Sequence, residues 1–231
     1  KNNFFTEDLG EIRKNVLREA LPNVVFEGWS KKLLIETSLS LGLDETQLLS
    51  AFPKEEIDLA LYFHSEGDKE MAYRIESINL SNMRYRDKIA MALKLRLAIA
   101  SVNKEAVRRA SSLFLLPINL SYGVASMWDT VDAVWSCLGD DSDDLNWYTK
   151  RMTLYLVYSS SLLFWLGDDS DNNIETSLFI DRRIDNVMSF QSNNSNLKRI
   201  FDVIAPIGKR IIGENMISKE NSLNFPGNCS R

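Results

Sequence analysis

Aspartates are concentrated in two short stretches of this chain, and closely spaced carboxylates are the groups that could bind a divalent cation. Residues 140–144 read DDSDD, and residues 168–171 read DDSD. Neither stretch has the central Gly and the terminal Glu of an EF-hand loop. Both precede predicted helices, where carboxylates accept hydrogen bonds from free N–H groups and complement the helix dipole. We therefore expect them to cap helices and expect no metal site.

Residue types that carry acid–base or nucleophilic chemistry are scarce. The only histidine, His64, follows Tyr62 and Phe63 near the end of an amphipathic segment, which favours a structural role. The sequence contains no Gly-x-Ser-x-Gly elbow, no phosphate-binding Gly loop and no Cys or His cluster. Two cysteines, Cys137 and Cys229, are too few for a disulfide scaffold and indicate a reducing compartment. We predict that the protein is not an enzyme and has no cofactor.

The composition favours an all-α fold. The chain has 231 residues, 45% of them hydrophobic, with five Pro, ten Gly and a net charge of −5, which argues against a general nucleic-acid binder. Caps, Pro and Gly divide it into about nine helices plus a C-terminal amphipathic helix. The predicted helices are Thr6–Ala20, Lys31–Leu41 after an N-cap at Ser30, a short helix capped by Asp44, Lys54–Glu76, Asn82–Ala100, Asn103–Leu116, Asn119–Leu138, Leu145–Leu166 and Ile174–Met188.

The helix predicted at Leu145–Leu166 has an unusual pattern. Its first turns carry aromatic and basic residues, and residues 152–167 contain no charge. A helix that is apolar all round must be enclosed by other groups. Because a membrane span needs about 20 apolar residues, we interpret it as the central helix of a bundle. The predicted core comprises Ile89, Leu93, Leu97, Leu113, Trp128, Val131, Trp135, Leu154, Val157, Tyr158, Leu162, Trp165, Phe179 and Ile184.

The stretch from Leu33 to Phe63 resembles the helix-turn-helix of TetR regulators. The Gly42 turn and the Phe52-Pro53-Lys54-Glu55 segment fit that pattern. DNA binding needs phosphate donors and base-reading side chains on and around the short helix. Residues 44–70 instead contain eight acids and two lysines. We therefore expect the helix-turn-helix architecture without DNA binding.

A second amphipathic pattern lies near the C-terminus. Apolar residues fall on one side of a helical wheel there, and basic residues fall on the other. Pro206 lies in the middle of the segment, on the polar side. An amphipathic helix on a polar linker is suited to a membrane surface or a partner's groove, although it could also pack on its own domain or on a second subunit. The residues predicted to bind membrane are Leu197, Ile200, Phe201, Ile204, Ile207 and Ile211.

Several motifs together resemble the ninth Coq protein family of ubiquinone biosynthesis. They are Leu21-Pro22, Val25-Phe26-Glu27-Gly28-Trp29, Arg84-Tyr85-Arg86-Asp87-Lys88-Ile89, the Asp144-x-Asn146-Trp147-Tyr148-Thr149 segment, and Phe179-Ile180-Asp181-Arg182-Arg183-Ile184. The resemblance covers about residues 21–188. Its most specific part is the Asn-Trp-Tyr-Thr segment combined with the Arg182-Arg183 helix.

The resemblance implies a TetR-like helical bundle that binds lipid instead of DNA. It divides the chain into a helical domain, 1–190, a tethered amphipathic helix, 191–217, and a polar tail, 218–231. Within the domain, 21–65 is a degenerate helix-turn-helix and 66–190 is the lipid-binding bundle. The residues expected to contact an isoprenoid quinone intermediate or a phospholipid are Trp128, Val131, Trp135, Leu154, Tyr158, Leu162 and Trp165.

Partners also follow from the resemblance. A homodimer is expected to meet the membrane and to assist the di-iron demethoxyubiquinone hydroxylase, presenting the bound intermediate to that enzyme. By analogy, the residues that bind the hydroxylase are Asp144, Asn146, Trp147, Tyr148 and Arg151. No secretory signal and no obvious mitochondrial presequence opens the chain, which favours a bacterial protein in the cytoplasm, peripheral on the inner membrane. The alternative is the matrix side of the mitochondrial inner membrane.

Two other functions remain open at this point. The first is a TetR-type transcriptional regulator with an apolar ligand, which would have to bind DNA despite its acidic helix-turn-helix. The second is a lipid-handling protein outside quinone synthesis. The identity of any lipid that co-purifies with the protein separates the second from the function that the resemblance implies.

Overall fold

The protein folds as a bundle of α-helices. The computed structural model describes residues 3–140 and 144–193, with side chains described for 9–140 and 147–187. Within these residues there is no strand, and the all-α prediction is confirmed. The helices are α1 Asn3–Glu27, α2 Lys31–Ser40, α3 Glu45–Ala51, α4 Glu56–Glu76, α5 Tyr85–Ser101, α6 Lys104–Phe114, α7 Leu120–Cys137, α8 Asp144–Leu166 and α9 Ile174–Asn193, with a one-turn 3-10 helix at Asp171–Asn173.

Local signals place most helix boundaries. Ser30 caps α2 by accepting a hydrogen bond from the Leu33 N–H, as predicted. Asp44 and Gln47 form a capping box at the start of α3. The predicted end of the first helix was wrong, because α1 continues through Pro22 and ends before Gly28, whose φ is +67°. Buried contacts on both sides of the proline hold this helix together, since Ala20 and Val24 are fully buried.

Two hydrophobic clusters lie side by side. The first is formed by residues of α1, α2, α3, α6 and the start of α4. It is built around Val16, Leu34 and Phe52. The second is formed by residues of α5, α7, α8, α9 and the end of α4. Because α4 contributes to both and packs on α7, the helix-turn-helix region and the bundle form a single packed body. The predicted core residues are buried except Ile89, Leu113, Leu162 and Phe179, which are half-buried.

Helix α8 is enclosed on one side only, which corrects the prediction that it is wrapped all round. Leu154, Val157 and Trp165 are buried against α7, α9 and α5. Leu156, Leu163 and Phe164 lie exposed on the opposite side. None of the described helices is both long and apolar enough to cross a bilayer. The predicted amphipathic helix, with Leu197, Ile200, Phe201, Ile204, Ile207 and Ile211, lies outside the described residues, as does the tail 218–231.

Candidate functional site

An apolar cavity of about 450 Å³ lies between α1 and helices α4 to α8. Its size falls within the usual range of ligand pockets, roughly 300–1,000 Å³. Most of the lining is aliphatic or aromatic, and the side chains come from six different helices. Representative lining residues are Leu17, Phe63, Ile99, Phe114, Met127 and Leu162. The cavity is therefore suited to an apolar ligand.

One wall of this cavity is polar. The Arg96 side chain is 5% exposed and donates from Nε to Asp68 Oδ1 at 2.7 Å. Its Nη2 donates to the main-chain oxygen of His64 at 3.0 Å. The Thr130 hydroxyl donates to the same Asp68 oxygen at 2.9 Å, and it lies 2.8 Å from His64 Nε2. A charged pair is thus held inside the bundle by a network that satisfies both partners.

The ionisation states of this wall follow from its burial. Burial lowers the pKa of His64, and the nearby Arg96 guanidinium lowers it too, although Asp68 acts in the opposite direction. Burial also raises the pKa of the Tyr158 phenol. His64 and Tyr158 are therefore uncharged near neutral pH, and Arg96 is the cation of the wall. The Thr130 contact gives the His64 ring a hydrogen-bond partner inside the bundle, in agreement with the predicted structural role.

Gly67 makes the position of Arg96 possible. A Cβ atom at residue 67 would lie 2.8 Å from the Arg96 guanidinium carbon and from both of its terminal nitrogens. Contacts this short are essentially never observed, so the guanidinium occupies the space that any other residue at position 67 would fill. Glycine within the long helix α4 carries a cost in helix propensity of about 1 kcal/mol. Here the absence of a side chain at residue 67 allows the Arg96 guanidinium to lie against the backbone of α4.

The predicted lipid-binding residues fall into two groups. Tyr158 and Leu162 line the cavity. The other five do not appear on its lining: Val131, Trp135, Leu154 and Trp165 belong to the main cluster, and Trp128 packs with Tyr148 and Met152. The prediction concentrated on α7 and α8, whereas α1, α4, α5 and α6 provide much of the wall. In the sequence, the residues that could have indicated this wall are Gly67 and Arg96, which lie on otherwise amphipathic helices.

The predicted partner-binding patch is held together by an arginine. The Arg151 guanidinium lies 4.0 Å from the centre of the Trp147 ring and donates from Nε to Asp132 at 2.6 Å. Its Nη1 lies 3.3 Å from Asp140, which Lys150 also contacts at 2.7 Å. The Arg151 side chain is only 4% exposed. Arg151 therefore positions Trp147 from beneath.

The other members of the patch differ in accessibility. Tyr148 is buried and packs on Trp128, with ring centres 5.5 Å apart. Trp147 is half-buried, so part of its ring faces outward. Asp144 and Asn146 lie at the start of α8, and their side chains are outside the described residues. Of the described members, Trp147 is the one placed for direct contact with a partner.

The two acidic stretches have different roles. Asp168 accepts hydrogen bonds from the main-chain N–H groups of Ser170 and Thr176, both at 2.9 Å, and so caps the start of α9 as predicted. Burial would raise the pKa of Asp168, but these hydrogen bonds hold it well below its usual range. Asp140, in contrast, pairs with Lys150 and Arg151. Residues 141–143 lie outside the described residues.

Comparisons with known proteins show a likeness to COQ9 proteins. The COQ9 family model matches residues 120–191. The chain is 28% identical to a probable ubiquinone biosynthesis protein coq9, mitochondrial, from Dictyostelium discoideum, over 77% of this chain and 60% of that protein. It is 28% identical to the mitochondrial ubiquinone biosynthesis protein COQ9 of Rattus norvegicus (81% and 62%) and 27% identical to that of Homo sapiens (81% and 61%). The chain thus spans about three fifths of the length of these relatives.

A solved structure shows the same fold. A TetR transcriptional regulator from Nitrosomonas europaea superposes with a TM-score of 0.62 at 17% identity, covering 78% of this chain and 99% of the regulator. At that identity the likeness concerns the fold alone. The likeness confirms the TetR-like part of the fold prediction. The family model and the relatives show similarity to COQ9 proteins, in agreement with the resemblance carried by the Asn-Trp-Tyr-Thr segment and the Arg182-Arg183 helix, both of which lie within residues 120–191.

Proposed function

We propose that this protein is a non-enzymatic lipid-binding accessory protein of ubiquinone biosynthesis. It binds an isoprenoid or quinone intermediate at the membrane and presents it to the di-iron demethoxyubiquinone hydroxylase. The observation that carries the proposal is the apolar cavity with one polar wall, in a chain whose relatives are named for ubiquinone biosynthesis. Those relatives are named as mitochondrial, which favours the matrix side of the inner membrane as the location.

The cavity matches the chemistry of a prenylated ring. Each CH₂ of a tail that leaves water contributes about 0.8 kcal/mol, so an apolar cavity favours even a partly enclosed tail. A ring oxygen needs a donor when it leaves water. Arg96 and Tyr158 both contribute to the lining and carry N–H and O–H groups. The polar wall therefore suits the ring of such a ligand, and the apolar remainder suits its tail.

The first experiment is native mass spectrometry of the purified protein, with solvent extraction and identification of the bound molecule. A polyprenylated quinone intermediate or a stoichiometric phospholipid supports the proposal. Ser111→Phe places a ring in the cavity lining and should reduce the loading, whereas Ser112→Phe, at the exposed neighbouring position, should not. Equal loading of the two variants would show that the molecule binds elsewhere.

The second candidate function is a TetR-type regulator, favoured only by the shared fold. The surface of α3 argues against it, because Asp44 and Glu45 are exposed there and Gln47 is engaged in the capping box. An acidic surface repels the phosphate backbone. Retardation of a fragment of the chain's own promoter, by protein that carries no lipid, would establish the regulator and overturn the lipid proposal.

Trp147 is proposed to anchor the hydroxylase, since half-buried tryptophans at the centre of an interface often contribute most of its binding energy. Trp147→Ala should weaken capture of the hydroxylase in a pull-down. Phe26→Ala truncates an exposed aromatic ring on α1 and serves as the matched control. If Trp147→Ala captures the hydroxylase as well as Phe26→Ala does, the docking site lies elsewhere.

A homodimer is proposed to cover the open side of α8. Exposed apolar side chains on α8 and α9 lie on this side, with Phe164 stacked on Phe179 at 4.4 Å between ring centres. The exposed residues are Leu156, Ile174 and Leu178. Leu178→Glu should shift the sedimentation coefficient toward the monomer. The segment containing residues 197–211 is proposed, from its sequence pattern, to bind the membrane surface.

A further inference from the structure

The loop between α6 and α7 is apolar and exposed. Residues 115–120 read LLPINL, and we refer to them as the apolar loop. Leu115, Leu116, Ile118 and Leu120 are all exposed among the described residues, with Ile118 at 83%. No charged residue occurs from 110 to 128. Single exposed apolar side chains are common, but four within six residues, in a stretch without charge, form a patch that marks an interaction surface.

Asn119 pairs several polar groups in and beside the apolar loop. The Asn119 N–H donates to the Leu116 carbonyl at 2.8 Å, and the Asn119 side-chain amide donates to the Leu113 carbonyl at 3.1 Å. The Asn119 carbonyl accepts from the Tyr122 N–H at 3.0 Å. Pro117 has no N–H to satisfy. Because unpaired backbone groups are costly in a lipid environment, these bonds reduce the cost of placing this part of the loop in an apolar phase.

The apolar loop is continuous with the cavity. Leu115 and Leu120 are exposed, yet they also contribute to the cavity lining, as does the exposed Leu163 of α8. A ligand that leaves the cavity along these residues stays in contact with apolar side chains as far as the surface. A protein interface of ordinary type has a polar rim around its apolar centre. The part of this opening formed by Leu115 and Leu120 belongs to the uncharged stretch 110–128, although Glu66 and Arg96 also contribute to the cavity lining. That part carries no charge of its own and suits the hydrocarbon interior of a bilayer.

We propose that the apolar loop inserts into a bilayer, so that the mouth of the cavity opens directly into the lipid. Interfacial segments of this kind typically enter about 5–10 Å below the surface. Because the loop has no charge, its insertion needs no anionic lipid and is insensitive to salt. Only the identity of the molecule that passes through the mouth rests on the proposed lipid-binding function. Insertion of the apolar loop depends on the loop's own exposed side chains.

The test places an environment-sensitive fluorophore on the full chain. Ile118→Cys is labelled in a Cys137→Ser, Cys229→Ser background and mixed with phosphatidylcholine vesicles. Val102→Cys is the matched control, because Val102 is also β-branched, is 82% exposed and precedes α6 at its opposite end. A blue shift at residue 118, absent at residue 102 and unchanged at high salt, is the expected result.

Several outcomes overturn the proposal. They are an unshifted fluorophore at residue 118 while the protein co-sediments with the vesicles, a fluorophore already shifted without vesicles, or a shift that needs the hydroxylase instead of lipid. The first would assign membrane binding to another segment, such as the basic C-terminal one, whose binding is salt-dependent. The second would show that the rest of the chain covers the loop, and the third would show a protein partner.

A pair of substitutions measures the strength of the insertion. Leu116→Asn and Ile118→Asn are exposed, so both should leave the helical content unchanged, and each should reduce vesicle binding about tenfold. Unchanged binding would overturn the proposal. This result is separable from the proposed function: a protein that inserts the loop but carries no lipid refutes the carrier, and a lipid-loaded protein that does not insert refutes only the loop.

Discussion

Two arginines are buried among the residues whose side chains the structure describes, one in the cavity wall and one beneath Trp147, and they are neutralised differently. Arg96 pairs with one carboxylate, Asp68, whose side chain is 12% exposed. Arg151 lies between two carboxylates, Asp132 at 40% exposure and Asp140 at 3%, and Asp140 also pairs with Lys150. The side-chain exposures of the two arginines are almost equal, 5% and 4%.

The two sites differ in how well the aspartates are neutralised once the arginine is removed. Without Arg96, the buried Asp68 has no other strong cation beside it, because His64 is neutral near pH 7. Without Arg151, Asp140 keeps Lys150 at 2.7 Å and Asp132 is partly in water. A buried charge left without a partner is far more costly than a lost favourable contact. The cavity wall should therefore be the more fragile of the two sites.

The largest expected effect comes from Arg96→Met. Breaking a buried ion pair by removing one partner typically lowers the free energy of unfolding by about 3–5 kcal/mol. Arg74→Met, on the helix that carries Asp68, is the control, since Arg74 and Glu70 form an exposed pair and such pairs contribute about 0–1 kcal/mol. Urea denaturation at pH 7 measures both. Equal losses in the two variants would show that burial of Arg96 has little energetic consequence.

Arg151→Met should have a smaller effect, about 1.5–3 kcal/mol, because hydrogen bonds to charged groups contribute in that range and the two aspartates retain other stabilisation. The near-ultraviolet circular dichroism of Trp147 should change more than the unfolding free energy, since the ring loses the guanidinium 4.0 Å from its centre. If Arg151→Met instead destabilises the protein as much as Arg96→Met, the contrast between the two sites is wrong.

Much of the fold could be read from the sequence because its signals are local. Ser30 and Asp44 place the starts of two helices through side-chain hydrogen bonds to nearby N–H groups. Pro22 was misleading for the opposite reason. A proline normally breaks a helix interior, but packing of α1 against α2, α3 and α6 stabilises the helix across it. That packing involves residues distant in sequence and gives no local signal.

The cavity was harder to anticipate than the fold. Apolar residues at helical spacing do not distinguish a packed core from a cavity lining, so Trp128 and Trp165 were assigned to ligand binding, although neither appears on the cavity lining. The Asp68–Arg96 pair joins residues that are 28 apart in sequence. Only the three-dimensional arrangement shows that this arginine lies inside the bundle and that Arg151 is beneath Trp147.

Gly67→Ala tests the fit of Arg96 more gently. Alanine improves helix propensity by about 1 kcal/mol, but its Cβ would lie 2.8 Å from a guanidinium that Asp68 and the His64 carbonyl hold in place. Overpacking of this kind costs about 1–3 kcal/mol, so we expect a net loss of about 1 kcal/mol. Gly10→Ala on α1 has no atom within 4 Å of its Cβ and should stabilise instead. A gain in both variants would show that Arg96 moves aside freely.

The smallest expected effect is the pH dependence that His64 gives to the free energy of unfolding. Since burial lowers the pKa of His64 in the folded protein, the neutral form is favoured on folding. Its contribution to stability is complete above the unfolded pKa of about 6.5 and is lost as the pH falls below it, by at most about 1.4 kcal/mol per pH unit. His64→Gln should remove this slope between pH 7 and pH 5.5 in urea denaturation.

Combining this measurement with Arg96→Met tests the wall as a unit. Once the guanidinium is gone, the Asp68 carboxylate, with Oδ2 3.7 Å from His64 Nε2, is opposed by burial alone and should bring the pKa of His64 closer to its unfolded value. The loss of stability between pH 7 and pH 5.5 should therefore be shallower in Arg96→Met than in the parent protein. A slope of the parent size in this variant would show that Arg96 does not act on His64, and that Arg96 contributes as a single ion pair.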